Sequence, residues 1–495
     1  MRWKSILLVA ALAPAAAADQ FDFVRTGIRR RLEQSTHVPS LAVAVAQNGK
    51  ILWEEGFGWA DREKKIPATG HTVYSLASVS KPITATGLMA LKQRGRIELD
   101  RPINNYLGPS RLTARVGRAR DATVRRVANH TSGLPLHYQF FYFDEPYRPP
   151  AMPETIRRYG NLVTAPGEKY EYSNLGYGVL DHVIERVSGR SYAEFMRREV
   201  FLPLGMTRSS VGIGADLEKH QALRYGPDGS PLPFYDFDHR GGSAIFSSAH
   251  DLVRFGLFHL KTRLPDQKAI LSDQNIDEMQ RPTAEDGRGG GYGIGWATGQ
   301  IGAWRVVRHG GGMPGVSTAL VLVPSEKLVV AVLANASSAA LDQLVTYPIL
   351  SAAAPVGIRS GTVEKPAAGG LERTPASFEP PGSLVGTWTG KLNSYRAVVP
   401  FTLWIRESGE IEARLDDQVR TPVTNPGFRE GYLTGRLTGH LGTEEVNRGP
   451  YLLHLSLKLR GQTLNGAVAA VSLPRPRVRS ALSHWVELMR AAETP

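Results

Sequence analysis

The chain has 495 residues, of which 42% are hydrophobic and 21% charged, and a formal net charge of +13. That length exceeds one ordinary core and implies two or three domains, and the composition excludes a disordered chain. There is no cysteine, which excludes disulfides, thiol catalysis and thiolate metal sites; the positive charge is scattered rather than interleaved with aromatics, which speaks against a nucleic-acid partner.

Residues 1–18 combine Arg2 and Lys4, an apolar run from Ile6 to Ala13, and the small residues Ala16-Ala17-Ala18. That order is expected of a bacterial signal peptide, giving a periplasmic or secreted product with no stable membrane span after its removal. Phe21 to Gln34 reads as an amphipathic helix. In SLAVAVAQNGKILWEEGFGWAD, two apolar runs flank Asn48-Gly49, a strong hairpin signal. From Ser78 the spacing of Ile83, Leu88 and Leu91 predicts a helix, with Pro82 in its first turn and Gly95 at its end. Further helices are expected at Tyr177–Val187, Tyr192–Val200, His250–Leu260 and Leu341–Leu350. Strands return at Trp304–Arg308, Val316–Val323 and Leu328–Ala334. Hairpins thus open and close this region, so the expected class is α/β in the α+β sense: an antiparallel sheet built from both chain ends and packed between helices.

Residues 352–382 are rich in Ala, Gly and Pro and read as a linker. Beyond them, SLVGTWTGKLNSYRAVVPFTLWI, EIEARL, GYLTGRL, YLLHLSLKL and TLNGAVAAV predict a small all-β barrel or sandwich, and ALSHWVELMRAA predicts a closing helix. The expected division is therefore a signal at 1–18, a main domain at 19–351, the linker at 352–382 and a β domain at 383–495.

No H-E-x-x-H and no G-x-S-x-G occur. Gly310 to Gly315 fits G-x-G-x-x-G, but VSTALVLVP after it is a strand, so no helix N-terminus is there to hold a pyrophosphate. Ser78-Val79-Ser80-Lys81 is the chain's one S-x-x-K. Spacing of i and i+3 puts a hydroxyl and an amine on one helix face, and a buried neutral amine can serve as a base. Taken alone, an N-cap serine followed by a solvated lysine explains these residues better. Tyr172-Ser173-Asn174 lies in a turn entering a helix, where a phenol can relay a proton and an amide can hold a carbonyl. RHGGGMPG ends a strand; Gly311 and Gly312 let a substrate backbone approach, and Gly312 can offer an N–H to an oxyanion.

In this order and spacing, S-x-x-K, Y-x-N and H-G-G resemble the serine β-lactamase and penicillin-binding-protein superfamily. The likeness is to its class C β-lactamase-like branch, with D-aminopeptidase, D-alanyl-D-alanine carboxypeptidase and esterase relatives. VYSLASVSKPITATGLMALKQRGRIELDRPINNYL, NHTSGLP, FLPLGMTRSSVG, GGSAIFSSAHDLVRFG and GYGIGW support the resemblance, which runs from about Phe21 to Leu350. It implies that Ser78 is acylated, that Lys81, coupled to Tyr172, accepts its proton, and that Asn174 binds the acyl-side amide. It further implies an oxyanion hole from the Ser78 and Gly312 N–H groups. His309, in the substrate-binding segment with Gly311 and Gly312, stands where many relatives carry lysine. A shorter, mostly neutral side chain there sets β-lactam hydrolysis behind peptidase, amidase or esterase action.

The resemblance implies no metal or organic cofactor. Its substrates are small molecules or short peptides, including cell-wall-derived ones. The competing reading is a non-catalytic binder of penicillin or peptidoglycan peptides. The aromatic stretch LHYQFFYFDEPYRPP is expected to place Tyr138, Phe141, Phe143 and Tyr147 in a wall or lid of the site, or else in a loop packed on the body. LVGTWTG, with Gly386 and Trp388, resembles the start of lipocalin-like barrels.

Overall fold

A computed structural model describes residues 19–35, 37–287, 289–337, 341, 345–354, 378–474 and 477–492. Residues 1–18 and most of the 352–382 segment lie outside the described residues.

The hairpin at Asn48-Gly49 forms as expected. Both residues adopt positive φ, 51° and 75°, and Gln47 pairs with Lys50. The strand Ser40–Gln47 then pairs on its other side with Leu328–Ala334, antiparallel, with Leu41 opposite Ala334. One nine-stranded antiparallel sheet results. Its order runs from Ala284–Glu285 through Gly291–Tyr292, Ala297–Ile301, Trp304–Met313, Val316–Val323 and Leu328–Ala334 to Ser40–Gln47, Lys50–Asp61 and Ile66–Pro67. Both chain ends build it.

Helices cover both faces, so central strands are apolar on each side. Leu41, Val43 and Val45 face the helix Asp22–Gln34 through Phe21, Val24 and Ile28. Ala42, Ala44 and Ala46 face the larger core that holds the helices Ser80–Gln93 and Ala249–His259. Small residues let the second layer come close; a Cβ on Gly256 would meet Val329 Cγ1 at 2.4 Å.

The C-terminal sheet is ordered Thr421–Pro422, Ile411–Leu415, Val398–Ile405, Gly386–Asn393, Ser480–Arg490, Thr463–Ser472, Tyr451–Arg460, Tyr432–Leu437 and Thr424–Arg429. Its two edges come from adjacent segments, so the barrel is nearly closed around Trp388, Leu403, Leu457, Leu464 and Val486. The segment expected as a closing helix is instead the strand Ser480–Arg490, paired with Gly386–Asn393 on one side and Thr463–Ser472 on the other. Ala, Leu, Glu and Met favour helix by only tenths of a kcal/mol each. Burial of this segment on both faces, with Trp485 packed on Val163 of the main body, outweighs that preference.

The aromatic stretch ties the two bodies together. The strand Tyr138–Tyr142 pairs with Ser480–Ala481 of the barrel and with Tyr235–Phe237 of the main body. Around it, Arg477 makes a bidentate pair with Asp144 at 2.9 and 2.8 Å, and Ser483 Oγ donates to the Leu136 carbonyl at 2.7 Å. A second clamp centres on Glu168, which accepts from Tyr432 (2.9 Å), Lys458 (2.8 Å) and Arg460 (2.6 Å).

Candidate active site

Ser78 occupies a single 3₁₀ turn, Ala77–Val79, that leads into the helix Ser80–Gln93. Ala77 has φ of 48°, a conformation unfavourable for a residue with a Cβ. Its neighbours hold it there: Leu76 N–H donates to the Ile245 carbonyl at 2.9 Å, and Thr318 Oγ1 donates to the Leu76 carbonyl at 2.8 Å. The turn lifts Ser78 out of the core, half-buried, while Lys81 one turn on is fully buried.

Lys81 Nζ lies 3.1 Å from Ser78 Oγ, 2.7 Å from Asn174 Oδ1 and 3.0 Å from the Gly242 carbonyl. None of these partners is a carboxylate, and burial pushes the amine well below its ordinary value. A neutral amine has two hydrogens and one lone pair. Asn174 Oδ1 and the Gly242 carbonyl can only accept and take the two hydrogens, which leaves the lone pair for the Ser78 hydroxyl.

Gly242 sits in a short turn, Arg240–Ser243, pressed against the helix Ser80–Gln93. A Cβ on Gly241 would meet the Tyr177 carbonyl at 2.5 Å. Thr84 Oγ1 donates to the Gly241 carbonyl at 2.6 Å, and Gly241 N–H donates to Asp181 Oδ2 at 2.6 Å. Asn174 opens the helix Asn174–Ser188, capped by Ser173 Oγ, which accepts from Gly176 N–H.

Tyr172 is half-buried, and desolvation of its phenol pushes it above the ordinary value, so it is a proton donor at neutral pH. Its hydroxyl contacts Ser78, and its ring lies 4.7 Å from Lys81 Nζ. His130, from NHTSGLP, packs against it at 4.4 Å between ring centres, and also against Tyr177 and Tyr292. His130 Nδ1 accepts from Ser173 N–H at 3.1 Å and so fixes the Tyr172–Asn174 turn.

His309 Nδ1 lies 2.8 Å from the Gly310 carbonyl, so that nitrogen carries the hydrogen. Nε2, 2.9 Å from Tyr292 Oη, then accepts from the phenol. Burial lowers the imidazole to about 3, which makes His309 a neutral group hydrogen-bonded to Tyr292.

The glycines after His309 bring the strand Trp304–Met313 against the Ser78 turn. A Cβ on Gly311 would meet the Leu76 carbonyl oxygen at 2.3 Å and Ser78 N at 3.1 Å, whereas one on Gly312 would meet nothing within 4 Å. Ser78, Asn174, Gly311 and Gly312 line one cavity of about 670 Å³. Tyr172 and His309 line the adjoining cavity with Tyr170 and Tyr292, and Gly310 borders both.

The aromatic wall is present with a different membership. Alternation along Tyr138–Tyr142 turns Tyr138, Phe140 and Tyr142 into the Ser78 cavity. Phe141 points the other way, under the Arg448 guanidinium together with Tyr147, and Phe143 is 55% exposed. The barrel closes the cavity with Pro474, Arg477 and Val478.

Gly242, His130, Tyr177 and Tyr292 were missed as site residues by sequence reasoning, although His130, Gly242 and Tyr292 lie in NHTSGLP, GGSAIFSSAHDLVRFG and GYGIGW, and Tyr177 follows Tyr172-Ser173-Asn174 by three residues. The fold also gathers Glu54, His71 and His250 at the surface, their ligating atoms within 4.8 Å of one another. Glu54 already pairs with both histidines, at 3.3 and 2.7 Å, which accounts for that grouping.

An antiparallel sheet from both chain ends, with a serine and a buried lysine at the start of the covering helix, defines the β-lactamase/transpeptidase-like superfamily of serine hydrolases. The chain belongs to the Beta-lactamase family, which it matches over residues 26–354. It is similar to Protein flp of Staphylococcus aureus strain MRSA252, 27% identical over 320 residues and 63% of each chain; it thus spans somewhat under two thirds of that relative. A penicillin-binding protein homologue from Pyrococcus abyssi, described as octameric, superposes over 94% of this chain and 99% of its own at a TM-score of 0.58 and 22% identity. SurE, solved with D-Leu, superposes over 95% and 99% at a TM-score of 0.60 and 20% identity.

Proposed function

We propose that the protein is an exported serine hydrolase that cleaves an ester, amide or peptide bond through an acyl-enzyme on Ser78. The observation that carries this reading is the 3.1 Å approach of Lys81 Nζ to Ser78 Oγ, with the amine fully buried and both its hydrogens committed elsewhere. Lys81 takes the Ser78 proton as Oγ attacks the substrate carbonyl. The Ser78 and Gly312 N–H groups receive the developing oxyanion at the edge that Gly311 keeps open. Tyr172, protonated through burial, gives its proton to the leaving group and recovers one from Lys81. Asn174 has Oδ1 on Lys81, leaving its amide N–H groups for an acyl-side carbonyl.

The cavity favours an uncharged, apolar or aromatic group. Tyr138, Phe140, Tyr142, Met313 and Val316 line it, and among the described residues the one guanidinium lining it, Arg477, is paired with Asp144. Neutral His309 offers no cation for a substrate carboxylate, which sets β-lactamase action behind peptidase, amidase or esterase action. The penicillin-binding relatives and the D-Leu complex of SurE support an acyl or leaving group with a D-residue, of cell-wall origin. Export rests on residues 1–18, and N-terminal sequencing of the mature protein tests it.

Labelling with a fluorophosphonate and with penicillin, followed by mass mapping, tests the chemistry. An adduct on Ser78 that disappears in Ser78→Ala is expected. Folded protein that no probe acylates would instead establish a non-catalytic binder. A panel of p-nitrophenyl esters, D- and L-amino-acid amides and a chromogenic cephalosporin then ranks the substrates.

A further inference from the structure

Three buried groups, one of which lines the Ser78 cavity, take no part in the mechanism above. Asp238 lies between two histidines, with Oδ1 2.7 Å from His239 Nδ1 and Oδ2 2.7 Å from His137 Nε2. All three residues are at most 3% exposed. Burial pushes the Asp238 carboxyl up, but the two histidines override this and hold it ionised. A carboxylate only accepts, so each histidine donates the hydrogen on the nitrogen that faces it.

The two histidines then differ. His137 packs on Tyr159 at 4.9 Å, and its Nδ1 is buried without a partner. His239 lines the Ser78 cavity, and its Nε2, which carries a lone pair in this tautomer, has no hydrogen-bond partner among the described residues. Burial keeps the ring neutral despite Asp238. The ring also sits close to the reacting groups. A Cβ placed on Gly242 would lie 3.2 Å from His239 Cδ2 and 3.6 Å from Lys81 Nζ. Gly242 N–H donates to the His239 carbonyl at 2.9 Å, so the imidazole and the lysine's acceptor belong to one turn.

We propose that His239, oriented by Asp238 with His137 behind it, activates the water that hydrolyses the acyl group on Ser78. The proposal rests on the acyl-enzyme reading and adds a separate base for its second half. Nε2 takes one proton from the water as its oxygen bonds to the acyl carbon. The resulting imidazolium is stabilised by Asp238 and later gives that proton to solvent. The tetrahedral intermediate breaks its C–Oγ bond, with the electron pair going to Oγ. The product acid's proton passes through Lys81 to Oγ, and the product leaves as a carboxylate. A division of labour follows: Lys81 and Tyr172 serve acylation, His239 is the base of deacylation with Lys81 returning the proton to Oγ, and Asp238 is a positioning residue.

Stopped-flow hydrolysis of a p-nitrophenyl ester separates the two halves as a burst and a steady state. In His239→Gln the burst should persist, which also reports correct folding, while steady-state turnover falls at least tenfold and the Ser78 acyl adduct accumulates by mass spectrometry. Hydroxylamine, which attacks without a base, should restore most of the lost turnover. Asp238→Asn is nearly isosteric and can place the hydrogen on Nε2. It should show the same split, and it carries the test if His239→Gln fails to fold. Wild-type deacylation in either folded variant would overturn the proposal. So would loss of the burst together with turnover and no rescue by hydroxylamine, the signature of a merely structural role. If the wild type itself gives neither burst nor adduct, the acyl-enzyme reading falls first and this proposal falls with it.

Discussion

Gly311→Ala is the sharpest test of how the strand edge and the nucleophile turn fit together. The added Cβ would stand 2.2 Å from Thr318 Oγ1, 2.3 Å from the Leu76 carbonyl oxygen and 3.1 Å from Ser78 N. The threonine can rotate away, at the cost of its 2.8 Å bond to the Leu76 carbonyl. The carbonyl belongs to the strained turn before Ser78 and cannot. Normal contact therefore requires strand and turn to separate by about 1 Å. Overpacking of this kind costs about 1–3 kcal/mol in stability. A displacement of about 1 Å between nucleophile and oxyanion donors costs on the order of 10²-fold in rate. Ester burst kinetics with a urea-denaturation midpoint read both effects. Gly312→Ala is the stability control, because nothing lies within 4 Å of a Cβ there. A Gly311→Ala protein with wild-type stability and burst rate would show that the two segments do not meet as described.

Lys81→Arg should abolish the burst while the protein still folds, since a guanidinium stays protonated at any working pH; wild-type acylation would remove Lys81 from the mechanism. Burial lowers His259 and His309 to about 3 and His484 to about 4, so all three stay neutral in the fold. Unfolded, each returns to about 6.5, and below that pH the unfolded chain binds protons that the folded chain refuses. Stability should thus be full above about pH 6.5 and fall by up to about 1.4 kcal/mol per pH unit for each histidine down to its folded value. A urea midpoint unchanged between pH 7.5 and 5 would contradict this. Glu168→Gln leaves Lys458 and Arg460 without their shared carboxylate. It should loosen the barrel from the main body by about 1–3 kcal/mol, seen as faster hydrogen exchange along Tyr432–Leu437 and Tyr451–Arg460, with the Ser78 burst retained.

Local signals in the sequence determined a large part of this protein. Asn48-Gly49 dictates a hairpin because both residues tolerate positive φ. The apolar runs at both chain ends call for a doubly covered antiparallel sheet. The i, i+3 spacing of Ser78 and Lys81 puts hydroxyl and amine together through one turn of backbone, whatever the rest of the chain does. Other features depend on contacts between distant residues and were decided only by the tertiary structure. Lys81 is held neutral because burial strips its solvent, and its hydrogens are taken by Asn174 and Gly242, from 93 and 161 residues away. His239 meets His137 through Asp238 only because two strands pair beside the cavity. Pairing with the barrel and with Tyr235–Phe237 likewise decides which aromatics of Tyr138–Tyr142 face the cavity, since a slip of one residue would exchange the two faces. The last segment shows the same limit most plainly. Ser480–Arg490 has the composition of a helix, and it is a strand because its neighbours on both sides supply hydrogen bonds and cover that no local preference of a few tenths of a kcal/mol per residue can match.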